Sequence, residues 1–391
     1  MQMDESKRKL SYNKLGFRRP ALKTGFNCWR FFFVGKNMST GNERSFFIEY
    51  EILNPGLAAA VPVLGFKTGA AVNPSDLQAA LAGAETAAAS AESVRPSYCV
   101  TRIGMMGPGA RQLCSYSSPK SIKAGFRPFE ISDGGIRFST DSISGSIDIT
   151  ENDVLEHPEC LCDSGSAAWN LKYEIAGGSS EGYRKRAAVW IPMGIRTEFS
   201  GSVSFNGGEY VVTPRTSFGY VSRYSSRTVT DPWFHLSSSH LTSIISGKQL
   251  FGSAFAVHGN FDGRLSLVSM VDGESIKFTA DSSRRLYSAV WNCVQVPSAS
   301  SDDVDRLHWS VSINSRHWIV DVDVFCSLKD LSARKLELPE GGQKVMSMVQ
   351  SGTGTGEIKM FRRRGKNLEQ IEYARVSKVF CEFGHSEAPE F

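Results

Sequence analysis

Apolar and polar positions alternate with a period of two through much of this chain, most regularly near its C-terminal end. Leu307, Trp309, Val311 and Ile313 alternate with His308, Ser310, Ser312 and Asn314. After a turn at Ser315-Arg316, Trp318, Val320, Val322, Val324 and Cys326 alternate with Ile319, Asp321, Asp323 and Phe325. Successive side chains of a strand point to opposite faces, so this pattern predicts a hairpin with one buried face. Asp133-Gly134, Asn206-Gly207, Asp262-Gly263 and Asp272-Gly273 each sit between β-rich segments, the signature of tight β-turns. Around Asn206-Gly207, Ser202–Phe205 and Glu209–Val212 form a second clear hairpin. Many short strands with regular turns and few helices predict a mostly all-β chain, built as barrels or sandwiches.

One segment departs from the pattern. Asn73 can cap a helix with Pro74 at the first helical position and Asp76 in the first turn, and Ala-rich sequence continues to about Ala91. This short helix belongs to an excursion over residues 54–119, too long for an ordinary loop; a lid, a partner surface and a plain decoration all fit it. Two aromatic strand pairs echo each other. Trp29–Phe33 precedes Phe46–Ile52, and Trp233–Leu236 precedes Phe251–Val257. Each suits the opening of a barrel, so two tandem antiparallel barrels are expected, residues 1–226 and 227–391.

The length of 391 residues supports two ordinary cores. A net charge of +4 is too weak to argue for nucleic acid, and Arg362-Arg363-Arg364 before Gly365 reads as a solvated hairpin end. Met1–Leu10 is charged and lacks an apolar core, so no secretory signal is expected, and no apolar run is long enough for a transmembrane helix. Eight scattered cysteines without an export signal read as reduced thiols of a cytoplasmic protein.

Several motifs carry no chemistry in context. Gly178-Ser-Ser180-Glu-Gly182 matches a nucleophile elbow but lies between two β-like segments, where that motif does not work. Gly352-Thr-Gly-Thr-Gly356 opens onto an alternating strand, and Gly104–Gly109 likewise lacks the helix N-terminus that a phosphate cradle needs. His157, Cys160, Cys162 and Asp163 are close in sequence, yet zinc wants four ligands and no second cluster is evident, so no metal is expected. His235 and His240 fall on opposite strand faces and cannot chelate together. Glu49 and Glu51 share a face with Phe47. Either they meet solvent, or they sit in a polar lumen where burial makes them proton donors.

The richest stretch runs from Phe218 to His240. In its strand, Trp233, His235, Ser237 and Ser239 share one face, and Phe234, Leu236, Ser238 and His240 the other. A ring, an imidazole and hydroxyls on one face suit a pocket wall. Together with Gly25-Phe-Asn-Cys-Trp-Arg-Phe31, Phe46-Phe-Ile-Glu-Tyr-Glu-Ile-Leu-Asn54-Pro55 and the terminal Val379-Phe-Cys-Glu382-Phe-Gly384, this order resembles the tocopherol cyclase-like family and its relatives, the carotenoid hydratases. The resemblance spans nearly the whole chain apart from the excursion.

It implies lipocalin-like barrels, a pocket for an isoprenoid- or lipid-like molecule, and protonation or hydration of an alkene without a cofactor. Carried over by position, it implies that Tyr220, Arg223, Trp233 and His235 line the site, with Trp29 and Ser237 as further contacts. The chain departs from the family at Ser222, where an acid is typical, at Ser225-Ser226 in place of Trp-Gly, and at Cys28. Asp231 or His235 would then have to supply the proton. Acid-assisted cyclisation or hydration, a non-catalytic carrier and an interaction scaffold are the readings left open.

Overall fold

The computed structural model describes residues 24–57, 95–126, 129–157, 161–177, 182–184, 188–214, 218–229, 232–260, 265–271, 273–280, 288–297, 304–341 and 344–385. Across them the chain is almost all β, one closed barrel and one half-barrel. No helix among the described residues is long and apolar enough to cross a membrane. The Ala-rich segment after Asn73 lies outside the described residues.

Thirteen strands form the first sheet. It opens with β1 (Phe26–Asn37), β2 (Glu43–Leu53), β3 (Tyr98–Met105) and β4 (Arg111–Ser117). Next come β5 (Lys123–Phe126), β6 (Phe129–Asp133), β7 (Ile136–Ser139) and β8 (Ser142–Ile149). A single helical turn, α1 (Glu151–Glu156), follows, capped by a reciprocal Thr150–Asp153 pair. The sheet ends with β9 (Gly165–Gly177), β10 (Tyr183–Arg184), β11 (Ala188–Phe205), β12 (Gly208–Val212) and β13 (Phe218–Ser226). Its order is β4-β3-β2-β1-β12-β11-β9-β8-β7-β6-β5, and β13 also bridges β1 and β11.

Eleven strands form the second sheet. They are β14 (Trp233–Ser238), β15 (His240–Ser243), β16 (Ala254–Asn260), β17 (Leu265–Val271), β18 (Glu274–Ala280) and β19 (Ser288–Val296). Then follow β20 (Arg306–Asn314), β21 (Trp318–Ser327), β22 (Ser332–Glu337), β23 (Val345–Arg364) and β24 (Asn367–His385).

The expected hairpins form where turn chemistry and alternation agree. β20 and β21 pair from Arg306↔Ser327 to Asn314↔Ile319, burying Leu307, Trp309, Val311 and Ile313. β11 and β12 turn at Asn206-Gly207, both with positive φ, as a two-residue hairpin turn requires. The Gly352–Gly356 run lies inside β23 as a bulged strand, not as a loop.

Three expectations change. β3 pairs with β2 and β4 with β3, so the excursion expected over 54–119 excludes residues 98–117, which belong to the first sheet. The partner of β14 starts at Ala254, and Phe251 is an exposed turn residue. Ser239 interrupts the strand expected to run through His240, which begins β15 instead.

Each sheet wraps its own apolar core. Trp29, Phe31, Ile48, Phe138, Leu171 and Phe199 belong to the first, and Phe234, Leu267, Trp309, Val322 and Ile358 to the second. A third cluster joins the sheets, with Phe32, Phe47, Trp190 and Tyr220 meeting Ala256, Val268 and Phe380. β1 and β14 are therefore buried on both faces, which is why neither shows the alternation of β20.

Candidate functional site

Residues of one β1 face cannot reach the first core because their neighbours already fill it. Cys28, Arg30 and Phe32 point instead toward the second sheet, with Phe47, Glu49 and Glu51 beside them on β2. From the other side, Trp233, His235 and Ser237 of β14 meet them, while Phe234 and Leu236 enter the second core. The one-faced pattern of β14 is thus buried against the neighbouring sheet.

The anticipated site residues divide accordingly. Tyr220, Trp233, His235 and Ser237 come together between the sheets. The Tyr220 and His235 rings lie 4.6 Å apart, and His235 Nε2 is 3.0 Å from Ser237 Oγ. Trp190 Nε1–H donates to the Tyr220 hydroxyl at 3.1 Å, and Trp233 stacks on His258 at 5.6 Å. Trp29 and Arg223, paired across β1 and β13, occupy the opposite face within the first barrel. There the Arg223 guanidinium lies 5.4 Å from the Trp29 ring and donates to Asn27 Oδ1 at 2.8 Å. Tyr220 and Arg223 are three residues apart on one strand, so they cannot share a face. Asp231 lies outside the described residues.

Glu49 and Glu51 meet neither solvent nor a barrel lumen. They belong to a charge network between the sheets. Arg334 of β22 grips Glu49 with two hydrogen bonds of 2.6 Å. Arg30 Nε lies 3.2 Å from Glu49 and its Nη1 donates to Glu382 of β24 at 2.8 Å, while Arg102 of β3 donates to Glu51 at 2.6 Å. Three arginines thus balance three glutamates, all 8% exposed or less. Charges removed from water persist only with such partners.

The network separates the acids. Burial would raise Glu49, but Arg334 and Arg30 overcome it and bring the carboxyl down to about 2. For Glu382 burial prevails over the same arginines, and the value rises. Burial, the neighbouring His258 and Arg30 hold His235 well below its ordinary range, and His258 falls to about 3. Both imidazoles are neutral at pH 7. A neutral imidazole is a hydrogen-bond partner and not a proton reservoir.

A small cleft of about 30 Å³ opens beside this network, where β13 ends and β14 begins. Phe26, Tyr224, Val229, Trp233, Leu336 and Met346 supply apolar walls, and Arg30, Glu51 and Glu337 a polar base. Trp233 is fixed by packing: its ring lies against Gly384, where a Cβ would come within 2.2 Å of Nε1. Glu337 of β22 accepts a hydrogen bond from the Tyr98 hydroxyl at 3.0 Å, and burial keeps that phenol far above its ordinary value. Arg30, Glu337, Glu382, Trp190 and His258 were not anticipated as site residues. Isolated charges within aromatic β-runs, such as Arg30 between Trp29 and Phe31, were the signal available for some of them.

Among the described residues no three His, Cys, Asp or Glu side chains converge as metal ligands. In the segment with His157, Cys160 lies outside the described residues, while Asp163 accepts the Gln112 N–H at 2.7 Å.

No family model and no curated protein matches the chain significantly. Solved structures do. One is a protein assigned as an AttH, from Nitrosomonas europaea, 11% identical with a TM-score of 0.45 over 91% of this chain and 93% of that one. Another is kievitone hydratase from Nectria haematococca, 12% identical with a TM-score of 0.41 over 97% and 93%.

Proposed function

We propose that this chain takes an isoprenoid- or lipid-like small molecule into the cleft between the sheets, beside Trp233, and protonates a carbon–carbon double bond in it. Ring closure or addition of water completes the reaction. The observation that carries this reading is the lining of the cleft: apolar walls end on buried acids and aromatic faces. Aromatic rings accommodate the positive charge that develops when an alkene is protonated. The motif order shared with tocopherol cyclase-like proteins supports the same substrate class.

Ser222 leaves no acid at the usual place, and neutral His235 is a wall residue in this scheme. The proton comes from Glu337, which faces the cleft; Glu51 is committed to Arg102. Tyr220, Trp233 and Ser237 shape the wall, and Trp29 and Arg223 brace β1 from within the first barrel. The chain divides into two domains at about residue 226, and the cleft lies between them.

A carrier reading has its own support in Ser222, buried where an acid would stand. The two separate on incubation of the protein with a C20 polyprenol, followed by extraction and mass spectrometry. An isomeric or hydrated product, lost in Glu337→Gln while tryptophan quenching by the polyprenol persists, supports catalysis. Quenching with no product supports carriage. Absence of quenching, or quenching unchanged in Leu338→Arg at the cleft wall, sinks both.

A further inference from the structure

Away from the cleft, two cysteines distant in sequence meet. The segment Leu161–Asp163 lies along β4, with Asp163 N–H donating to Gln112 O at 2.8 Å and the Gln112 side chain to Leu161 O at 3.3 Å. This seats Cys162 Sγ 3.0 Å from the backbone nitrogen of Cys114, whose N–H donates to it, and 3.9 Å from Cys114 O. We propose that Cys162 and Cys114 form a redox modification site, at which a hydroperoxide oxidises Cys162 and Cys114 closes the product to a disulfide.

The two sulfurs are unequal in the way such a reaction needs. Cys162 is partly exposed and Cys114 is 3% exposed, so an oxidant reaches the first. Hydrogen bonds from the Cys114 side chain and N–H favour the Cys162 thiolate and lower its value, whereas burial raises that of Cys114. Thiolate character and access together select the sulfur that attacks.

The Cys162 thiolate attacks one peroxide oxygen. An S–O bond forms, the O–O bond breaks, and water or an alcohol leaves, giving a sulfenic acid. The Cys114 sulfur then attacks that sulfur, the S–S bond forms, and the hydroxyl leaves as water with the thiol proton. Two electrons from the thiol pair reduce the peroxide. The new bond would clamp residues 161–163 onto β4 beside Gln112, whose Oε1 lies 3.2 Å from Arg334 of the charge network.

A second pair serves as an internal control. Cys326 and Cys381 share the core of the second sheet, but both are buried, at 3% and 0%.

The full-length native protein, treated with stoichiometric hydrogen peroxide, alkylated and digested, should yield a Cys114–Cys162 disulfide peptide while Cys326 and Cys381 remain alkylatable after unfolding. Cys114→Ser should leave a dimedone-reactive sulfenic acid at Cys162. In untreated wild type, iodoacetamide should modify Cys162 about tenfold faster than Cys114. A Cys160 disulfide in place of Cys114–Cys162, oxidation of Cys326–Cys381 first, or equal alkylation rates would overturn the proposal. The alkylation comparison needs no variant, so misfolding of a Ser mutant cannot mask the outcome.

Discussion

Glu49 holds its charge without water because Arg334 and Arg30 replace the lost hydration with directed hydrogen bonds. Glu49→Gln keeps the shape and removes the charge, leaving two buried guanidinium groups under-compensated. It should destabilise the fold by about 3–5 kcal/mol, read as a lower urea midpoint. Protons test the same region. His258 has its folded value lowered to about 3, so its contribution is complete above the unfolded value near 6.5 and is lost as pH falls from there. Glu49, also lowered, loses its share only below about 4.5, toward about 2. Glu382 is raised and acts in the opposite sense, its share fading as pH climbs above the ordinary carboxylate range. Stability should therefore fall between pH 6.5 and pH 4, and His258→Phe should reduce that slope by about 1.4 kcal/mol per pH unit. Urea titrations at each pH would show it, and an unchanged slope would contradict the burial of a neutral imidazole at this position.

At the scale of elements, legibility followed burial. β20 and β21 have one wet face and one dry face, so their hydrophobic period stood in the sequence. β1, β2 and β14 have two dry faces, so their inner and outer residues look alike, and Glu49 could be read as solvent-facing or as lumenal. The Asn54-Pro55 end of β2 shows how local chemistry sets such a strand. Asn54 has a φ of 42°, a left-handed conformation that asparagine tolerates. Its side chain accepts from Gly25 N–H at 2.7 Å and donates to Pro96 O at 2.7 Å and Pro339 O at 2.9 Å. One buried amide thus ties β1, the entry to β3 and the second half of the chain. Asn54→Ala should cost about 2–4 kcal/mol, measured by chemical unfolding, because these partners lose their bonds inside the protein.

For the molecule as a whole, the contact between the sheets is the feature that matters most. It buries Trp190, Tyr220, Trp233 and His258 and carries the Arg30–Glu382 and Arg334–Glu49 pairs across from one sheet to the other. Residues 24–226 and 232–391, produced separately, should each expose this apolar and charged face and associate when mixed. Size-exclusion chromatography and a change in tryptophan fluorescence would report the union. Two monomeric, well-folded halves that ignore each other would show that the contact is weak.

Local patterning was enough to specify an almost all-β chain, its hairpin turns and the aromatic strands at the opening of each half, because those depend on neighbours within a few residues. It also singled out Trp233, His235 and Ser237 on one strand face, which meet Tyr220, a residue suggested by the family resemblance. It could not separate them from Trp29 and Arg223, which lie across the thickness of a strand, nor supply Arg334, Glu337 and Glu382 from more than a hundred residues away. Which of two apolar faces looks inward, and which distant charge neutralises a buried one, depends on how the sheets pack. No stretch of sequence carries that information by itself.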